Sequence, residues 1–257
     1  MIYRESQLRI FKNVQRREWL RQNRLREPFI RQWRQRLKGY FINLGNSLKE
    51  DYAYGSNILV DLRINESAKV LRNIMRVQYI MVANAFKNYF LDRTQNVKDF
   101  DTEFETRLDT YIENNVGTLV TNINENTRNK IQSVIGDSFD TGQSIPETGN
   151  ALRNTLIGMG VYRANLIART EVHRTASFAN EIAAESMGIA GTKKEWVAVR
   201  DARTRVAHLV ASGQKVGLEE PFIVGGERLK YPGDPAGSPG NTINCRCVSI
   251  YTTPDFL

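Results

Sequence analysis

His173, His208, Cys245 and Cys247 are the only imidazoles and thiols in a chain of 257 residues. His208, Cys245 and Cys247 make three zinc-type ligands, with His173 or Asp234 as the fourth. The spacing argues against that use. Paired zinc cysteines are usually separated by about two to four residues, because that loop lets both sulfurs reach one ion. With Arg246 alone between them, a strand puts both sulfurs on one face without a knuckle. The expectation is a small apolar pair buried on a terminal strand, with no metal and no cofactor. A bridge between them would close a strained ring with one residue inside, and two cysteines make no disulfide framework. His208 also suits a nuclease, with Asp201, Arg205 and Asn244 as helpers. That chemistry needs His208 within reach of a scissile phosphate and an Asp/Glu cluster for magnesium, and the sequence offers no such cluster. No catalytic residue is assigned. Arg169 and Glu171 lie two apart on a helix and cannot face each other. They are expected to reach Asp201, Arg203, Arg205 and His208 in one polar network tying helix to sheet, with Trp196 as the core anchor beside it.

Short motifs follow one another through the same third of the chain. Ala168-Arg169-Thr170-Glu171 precedes Trp196, Asp201, Arg203, Arg205 and His208. Next come Gly213-Gln214, Pro221-Phe222, Pro232-Gly233-Asp234-Pro235 and Asn244-Cys245-Arg246-Cys247. In this order, over about residues 130–257, they resemble the phage head morphogenesis family, the Mu protein F-like minor head proteins of tailed bacteriophages. The resemblance implies a structural protein, not an enzyme, that assembles in the host cytoplasm and ends in the virion, inside the capsid near the portal vertex. It implies roles in head assembly and in DNA packaging, retention or ejection. The implied partners are the portal protein, packaged double-stranded DNA and the major capsid or scaffolding protein. Two rivals stand beside it: a metal-dependent nuclease or toxin-associated domain, since related domains occur fused to toxins, and a DNA-binding module outside any virion.

The elements that must position these residues change in texture along the chain. Leu25, Phe29, Trp33, Leu37 and Phe41 recur every fourth residue, one stripe of an amphipathic helix with Pro28 at its start or at a kink. Gly45-Asn46-Ser47 and Gly55-Ser56-Asn57 mark a break. Met75, Tyr79, Val82, Phe86, Tyr89 and Phe90 predict a second helix. Phe104, Leu108, Tyr111, Ile112, Leu119 and Ile123 predict a third. After a turn at Asp140-Thr141-Gly142-Gln143, Ser144 with Glu147 is a capping-box pattern. Gly158 and Gly160 are expected to end that helix, and another to run from Arg163 to Met187 with Gly188 as its cap. Beyond Gly188 the segments are short and β-prone: Trp196–Val199, Phe222–Val224 and Cys247–Tyr251, with Gly225-Gly226 turning Phe222–Val224 back into Glu227–Leu229. Asp201–Thr204 is expected to cap a short helix ending near Leu209. The fold class is α+β: a long, mostly helical N-terminal half, then a small domain with a short antiparallel sheet. The expected divisions are a basic arm (1–56), a helical region (57–143) and the Mu protein F-like domain (144–257).

Charge is concentrated at one end. The net charge is +8. Residues 1–38 hold twelve basic and three acidic side chains, while the other 219 carry 24 bases and 25 acids. Arg16, Arg17, Arg21, Arg24, Arg31 and Arg34 suit phosphate contacts, and Phe29 and Trp33 suit docking into a partner's groove. The arm is therefore expected to meet DNA or portal. No stretch has the roughly 18 apolar residues of a membrane helix, so no membrane partner is expected. Arginine stands where a signal peptide has its apolar core, so Sec-type export is not expected. At 41% hydrophobic and 25% charged the composition is that of a globular chain, which excludes wholesale disorder.

Overall fold

Apolar residues that return every three or four positions over long spans force long helices, because only that period keeps them on one stripe. The computed structural model describes residues 5–54, 57–92 and 100–253, with side chains from residue 13 onward except 57–58. Its first four elements are α1 (Glu5–Ala53), α2 (Asn57–Leu91), α3 (Phe100–Asp140) and α4 (Ile145–Ser186). A smaller region follows: β1 (Lys193–Val197), α5 (Val206–Ala211), β2 (Lys215–Gly217), β3 (Phe222–Val224), β4 (Glu227–Leu229), α6 (Pro239–Thr242) and β5 (Val248–Thr252). This is the expected α+β order. No helix among the described residues is long and apolar enough to cross a membrane.

Two expected helix breaks are absent. α1 continues through Gly45-Asn46-Ser47, and α4 continues through Gly158 and Gly160. Packing explains two of these glycines. A Cβ on Gly160 would stand 2.6 Å from the Phe41 Cβ, and one on Gly45 would stand 3.2 Å from the Arg153 carbonyl oxygen. At these points glycine permits close approach of helices instead of ending them. Pro28 lies inside α1. The expected turn after α3 is present, with Gly142 at φ 66° and the Gln143 N–H donating to the Ser138 carbonyl. The Ser144 N–H donates to the Glu147 carboxylate at 2.7 Å, the reciprocal half of a capping box.

The chain forms two compact units, each discontinuous in sequence. The expected division near residue 143 falls between α3 and α4, and that at residue 56 lies outside the described residues. The helical unit comprises residues 30–79 and 110–168. Trp33, Leu37, Phe41, Ile64, Leu71, Met75 and Tyr79 are completely buried in its core, with Leu152, Leu156 and Ala164 of α4. The Trp33 and Tyr79 rings meet edge to face at 5.6 Å. Arg63 clamps Asp51 with Nε and Nη2 at 2.8 and 3.1 Å.

The mixed unit comprises residues 1–29, 80–109 and 169–257. Its three-stranded sheet has the order β2-β1-β5, antiparallel throughout, with Lys194 opposite both Val216 and Tyr251. β3 and β4 form the expected hairpin, and Gly225 and Gly226 sit at φ 60° and 84°, as a two-residue primed turn requires. β1 starts three residues earlier than expected and stops at Val197. The Ala198 N–H turns to Ser212 Oγ and the Val199 carbonyl accepts from Thr204 Oγ1, so ladder bonding ends there. β2 was not anticipated. Lys194 is buried on β1, pairs with Glu181 of α4 and donates to the Lys230 carbonyl at 2.9 Å. Removing either charge would leave the other buried alone, at a cost of about 3–5 kcal/mol.

Candidate functional site

One cluster in the mixed unit gathers most of the motif residues. Trp196, on β1, is completely buried against Phe222 and His208, with ring centroids at 5.4 and 5.6 Å. His208 projects from α5 into the same core, where Cys245 and Cys247 are also buried. His208 Nδ1 lies 3.3 Å from Cys247 Sγ and 3.7 Å from Cys245 Sγ. One donor atom from each of the three residues falls within 4.8 Å of the others. His173, on α4, is buried with its ring beside Cys245.

The cysteines do not lie on a strand, which corrects the expectation from their spacing. They precede β5, and Asn244 ahead of them is at φ 55°, a left-handed turn that asparagine tolerates. That turn is held from three sides. The Asn244 N–H donates to Thr170 Oγ1 at 3.1 Å, Arg205 Nη2 donates to the Ile243 carbonyl at 2.6 Å, and Trp19 Nε1 donates to the Arg246 carbonyl at 2.7 Å. Gly233, at φ 85°, gives His173 its room: a Cβ there would stand 2.9 Å from the His173 ring. Asp234 accepts the Lys230 and Ala236 N–H groups and so shapes the Pro232–Pro235 turn. Gly213, at φ 94°, donates its N–H to the Trp196 carbonyl.

Electrostatics within the cluster are lopsided. Burial raises the Cys245 thiol, but Cys247, His173 and His208 more than reverse this and hold it well below the ordinary thiol range. Burial and the neighbouring Cys245 push Cys247 well above it. His173 is lowered by burial and by Arg26, which keeps its ring neutral. Arg26, from α1, is itself lowered to about 10 by burial, partly offset by Cys245 and Cys247.

The expected single network of Arg169, Glu171, Asp201, Arg203, Arg205 and His208 is replaced by separate sets. Glu171 is buried and pairs with Arg174 at 3.0 Å, and Arg174 also donates to the Gly233 carbonyl. Asp201 is gripped by Arg246 through two bonds of 2.6 Å, with the exposed Arg203 at 3.7 Å. The Arg246 guanidinium holds the Asp201 carboxyl far below the usual carboxylate range. Arg205 serves the Ile243 carbonyl, His208 the sulfurs, and Arg169 is half-buried on α4. Asp201 does not cap a helix either; it accepts the Arg203 N–H in a tight turn, and α5 begins at Val206 with Arg205 as its N-cap.

The basic arm is also used differently. Trp33 belongs to the core of the helical unit and Phe29 is half-buried, so this aromatic pair is not free for a partner's groove. Arg16, Arg17, Arg21, Arg24 and Arg31 are exposed, and Arg34 is half-buried. Between the exposed arginines, α1 joins the mixed unit: Gln22 donates to the Ser249 carbonyl at 3.1 Å and accepts from Asn180 at 3.2 Å. Gln22 and Arg26 escaped the sequence reading, because a buried polar side chain inside a basic run looks like part of the solvated face.

Residues 129–250 match the family described as Phage Mu protein F like protein. The chain is 29% identical over 126 residues to the minor head protein of Bacillus phage SPP1, covering 48% of this chain and 40% of that protein. It is 37% identical over 87 residues to an NAD(+)–arginine ADP-ribosyltransferase of Enterococcus faecalis, covering 33% of this chain and 18% of that enzyme. The chain therefore spans well under half the length of either relative. No solved structure matches it significantly. The resemblance read from the motifs is thus borne out over nearly the same residues.

Proposed function

We propose that this chain is a minor head protein of a tailed bacteriophage, bound at the portal vertex or inner capsid surface and contacting the packaged genome. The match of residues 129–250 to the Mu protein F-like family, with a phage minor head protein among the relatives, carries this reading. Portal protein, packaged DNA and the capsid or scaffolding protein are its partners, and its role is in head assembly and in DNA packaging, retention or ejection. The exposed Arg16, Arg17, Arg21 and Arg24 support the DNA contact: Arg17, Arg21 and Arg24 follow helical spacing along one face, and none of the four is needed in the core. The work is structural, not catalytic. A nuclease is disfavoured because His208 is turned into the core toward two sulfurs, and Arg246 occupies the Asp201 carboxylate.

Purified particles test the location. The protein is expected in DNA-filled heads, and its deletion should lower the yield of filled, infectious particles. Its absence from particles, with normal heads formed without it, would overturn the reading in favour of a DNA-binding module outside the virion. Binding to duplex DNA tests the arm. Each phosphate contact contributes about −0.9 to the log–log salt slope, so changing the four arginines to Gln should flatten the slope by up to about 3.6. An unchanged slope would remove DNA as the arm's surface.

A further inference from the structure

The two sulfurs and the His208 imidazole of the buried cluster lie close enough together to hold one metal ion. We propose that Cys245, Cys247 and His208 bind one zinc ion, with His173 as the fourth ligand, in a closed structural site.

Geometry carries the assignment. Zinc bonds of about 2.3 Å to sulfur and 2.0–2.1 Å to nitrogen set the edges of a tetrahedron at about 3.8 Å between sulfurs and 3.5 Å between sulfur and nitrogen. The two sulfur–nitrogen separations, 3.3 and 3.7 Å, bracket that edge. The one-residue spacing of the cysteines is no obstacle, because the left-handed Asn244 starts a turn that brings both sulfurs beside one nitrogen.

The alternative, a purely hydrogen-bonded cluster, satisfies the same groups poorly. A neutral imidazole has one N–H to give, yet His208 Nδ1 faces two sulfurs at 3.3 and 3.7 Å. His173 is buried beside Cys245. Buried polar atoms in native folds are nearly always satisfied, and one ion would take a lone pair from each ring. Asp234 does not compete, since its carboxylate is committed to the Lys230 and Ala236 N–H groups. The surroundings are those of a structural site: Trp196, Phe222 and Leu229 pack with the two cysteines, and His208, Cys245 and Cys247 are all buried.

The full chain, purified under reducing conditions from zinc-supplemented medium, should carry about one zinc per molecule by mass spectrometry. After chelation, titration with cobalt(II) should restore the melting temperature and give the charge-transfer absorption of two thiolates on a tetrahedral ion. Cys245→Ser and Cys247→Ser should each weaken that band, and together abolish it. His173→Gln should change the ligand-field bands and weaken binding by at least about tenfold, the loss typical even of outer-shell partners. A wild-type chain that neither carries zinc nor gains thiolate absorption and thermal stability with cobalt overturns the proposal, whether or not the cysteine variants fold. A cobalt spectrum unaltered by the double cysteine change would place the ion elsewhere and overturn it too. An unaltered spectrum in His173→Gln would overturn the four-ligand site.

Discussion

Gly158 and Gly160 stand two residues apart in α4 and should answer alanine with opposite signs. Both lie inside one helix, where Ala is favoured over Gly by about 0.8–1.0 kcal/mol. Gly158 is exposed and a Cβ there meets nothing within 4 Å, so Gly158→Ala should keep most of that gain. At Gly160 the same Cβ would sit 2.6 Å from the Phe41 Cβ and 3.0 Å from its Cγ. Carbon pairs prefer about 3.5–4.0 Å, so α4 and α1 would have to part by roughly 1 Å locally. No rotamer of Phe41 relieves this, because a Cβ is fixed by its own backbone. Overpacking of this kind costs about 1–3 kcal/mol, which cancels or exceeds the helix gain and leaves Gly160→Ala less stable by up to roughly 2 kcal/mol. At about 2–4 °C per kcal/mol for a chain of this size, the melting temperatures should move apart by several degrees. Thermal unfolding followed by circular dichroism measures both. If Gly160→Ala raises the melting temperature as much as Gly158→Ala, close helix approach is not what places glycine there.

Trp33→Ala should destabilise the protein by about 3–5 kcal/mol, as for other large buried rings, while the half-buried Phe29→Ala costs less; denaturant unfolding of both variants reads the difference, and equal small effects would mean that Trp33 is not core. Asp201 has its folded-state proton affinity depressed by Arg246, so its contribution to stability is present above about pH 4 and lost as pH falls through the folded value. The stability gap between wild type and Asp201→Asn should therefore be flat from pH 7 to about 5 and close in acid; a gap that does not change down to pH 3 would refute the pairing. Residues 144–257 expressed alone should fail to unfold cooperatively, because they lack the α1, α2 and α3 parts of their unit, including Trp19 and Gln22. A cooperative, protease-resistant fragment would show that those parts only decorate it.

Periodicity revealed the helices because their apolar stripes are long: Met75, Tyr79, Val82 and Phe86 are all buried where the pattern puts them. Glycines misled, since at Gly45 and Gly160 the residue answers to a neighbouring helix that the local sequence does not show. The hairpin at Gly225-Gly226 was legible because its turn needs two positive φ values that glycine accepts freely. At the cluster, residue types pointed to the right members, but rules of spacing pointed away from their convergence. Asn244 was the available signal, as the residue after glycine most at ease in a left-handed turn. Charge partners were the least legible part. Arg174 pairs with Glu171, and Arg246 joins the expected Arg203 on Asp201; such choices depend on which loops return to the same place.

Gln22 meets the Ser249 carbonyl across 227 residues of chain. During synthesis at about 5–20 residues per second, the first strip of the mixed unit waits roughly 11–45 s for its partner strand to emerge. Through that interval Trp19 and Gln22 lack the Arg246 and Ser249 carbonyls to which they donate, and a nascent chain halted before Arg246 never acquires them. Completion of this unit thus reports that translation has passed Ser249. A product that ends earlier leaves this stretch of α1 without those two bonds to the C-terminal segment.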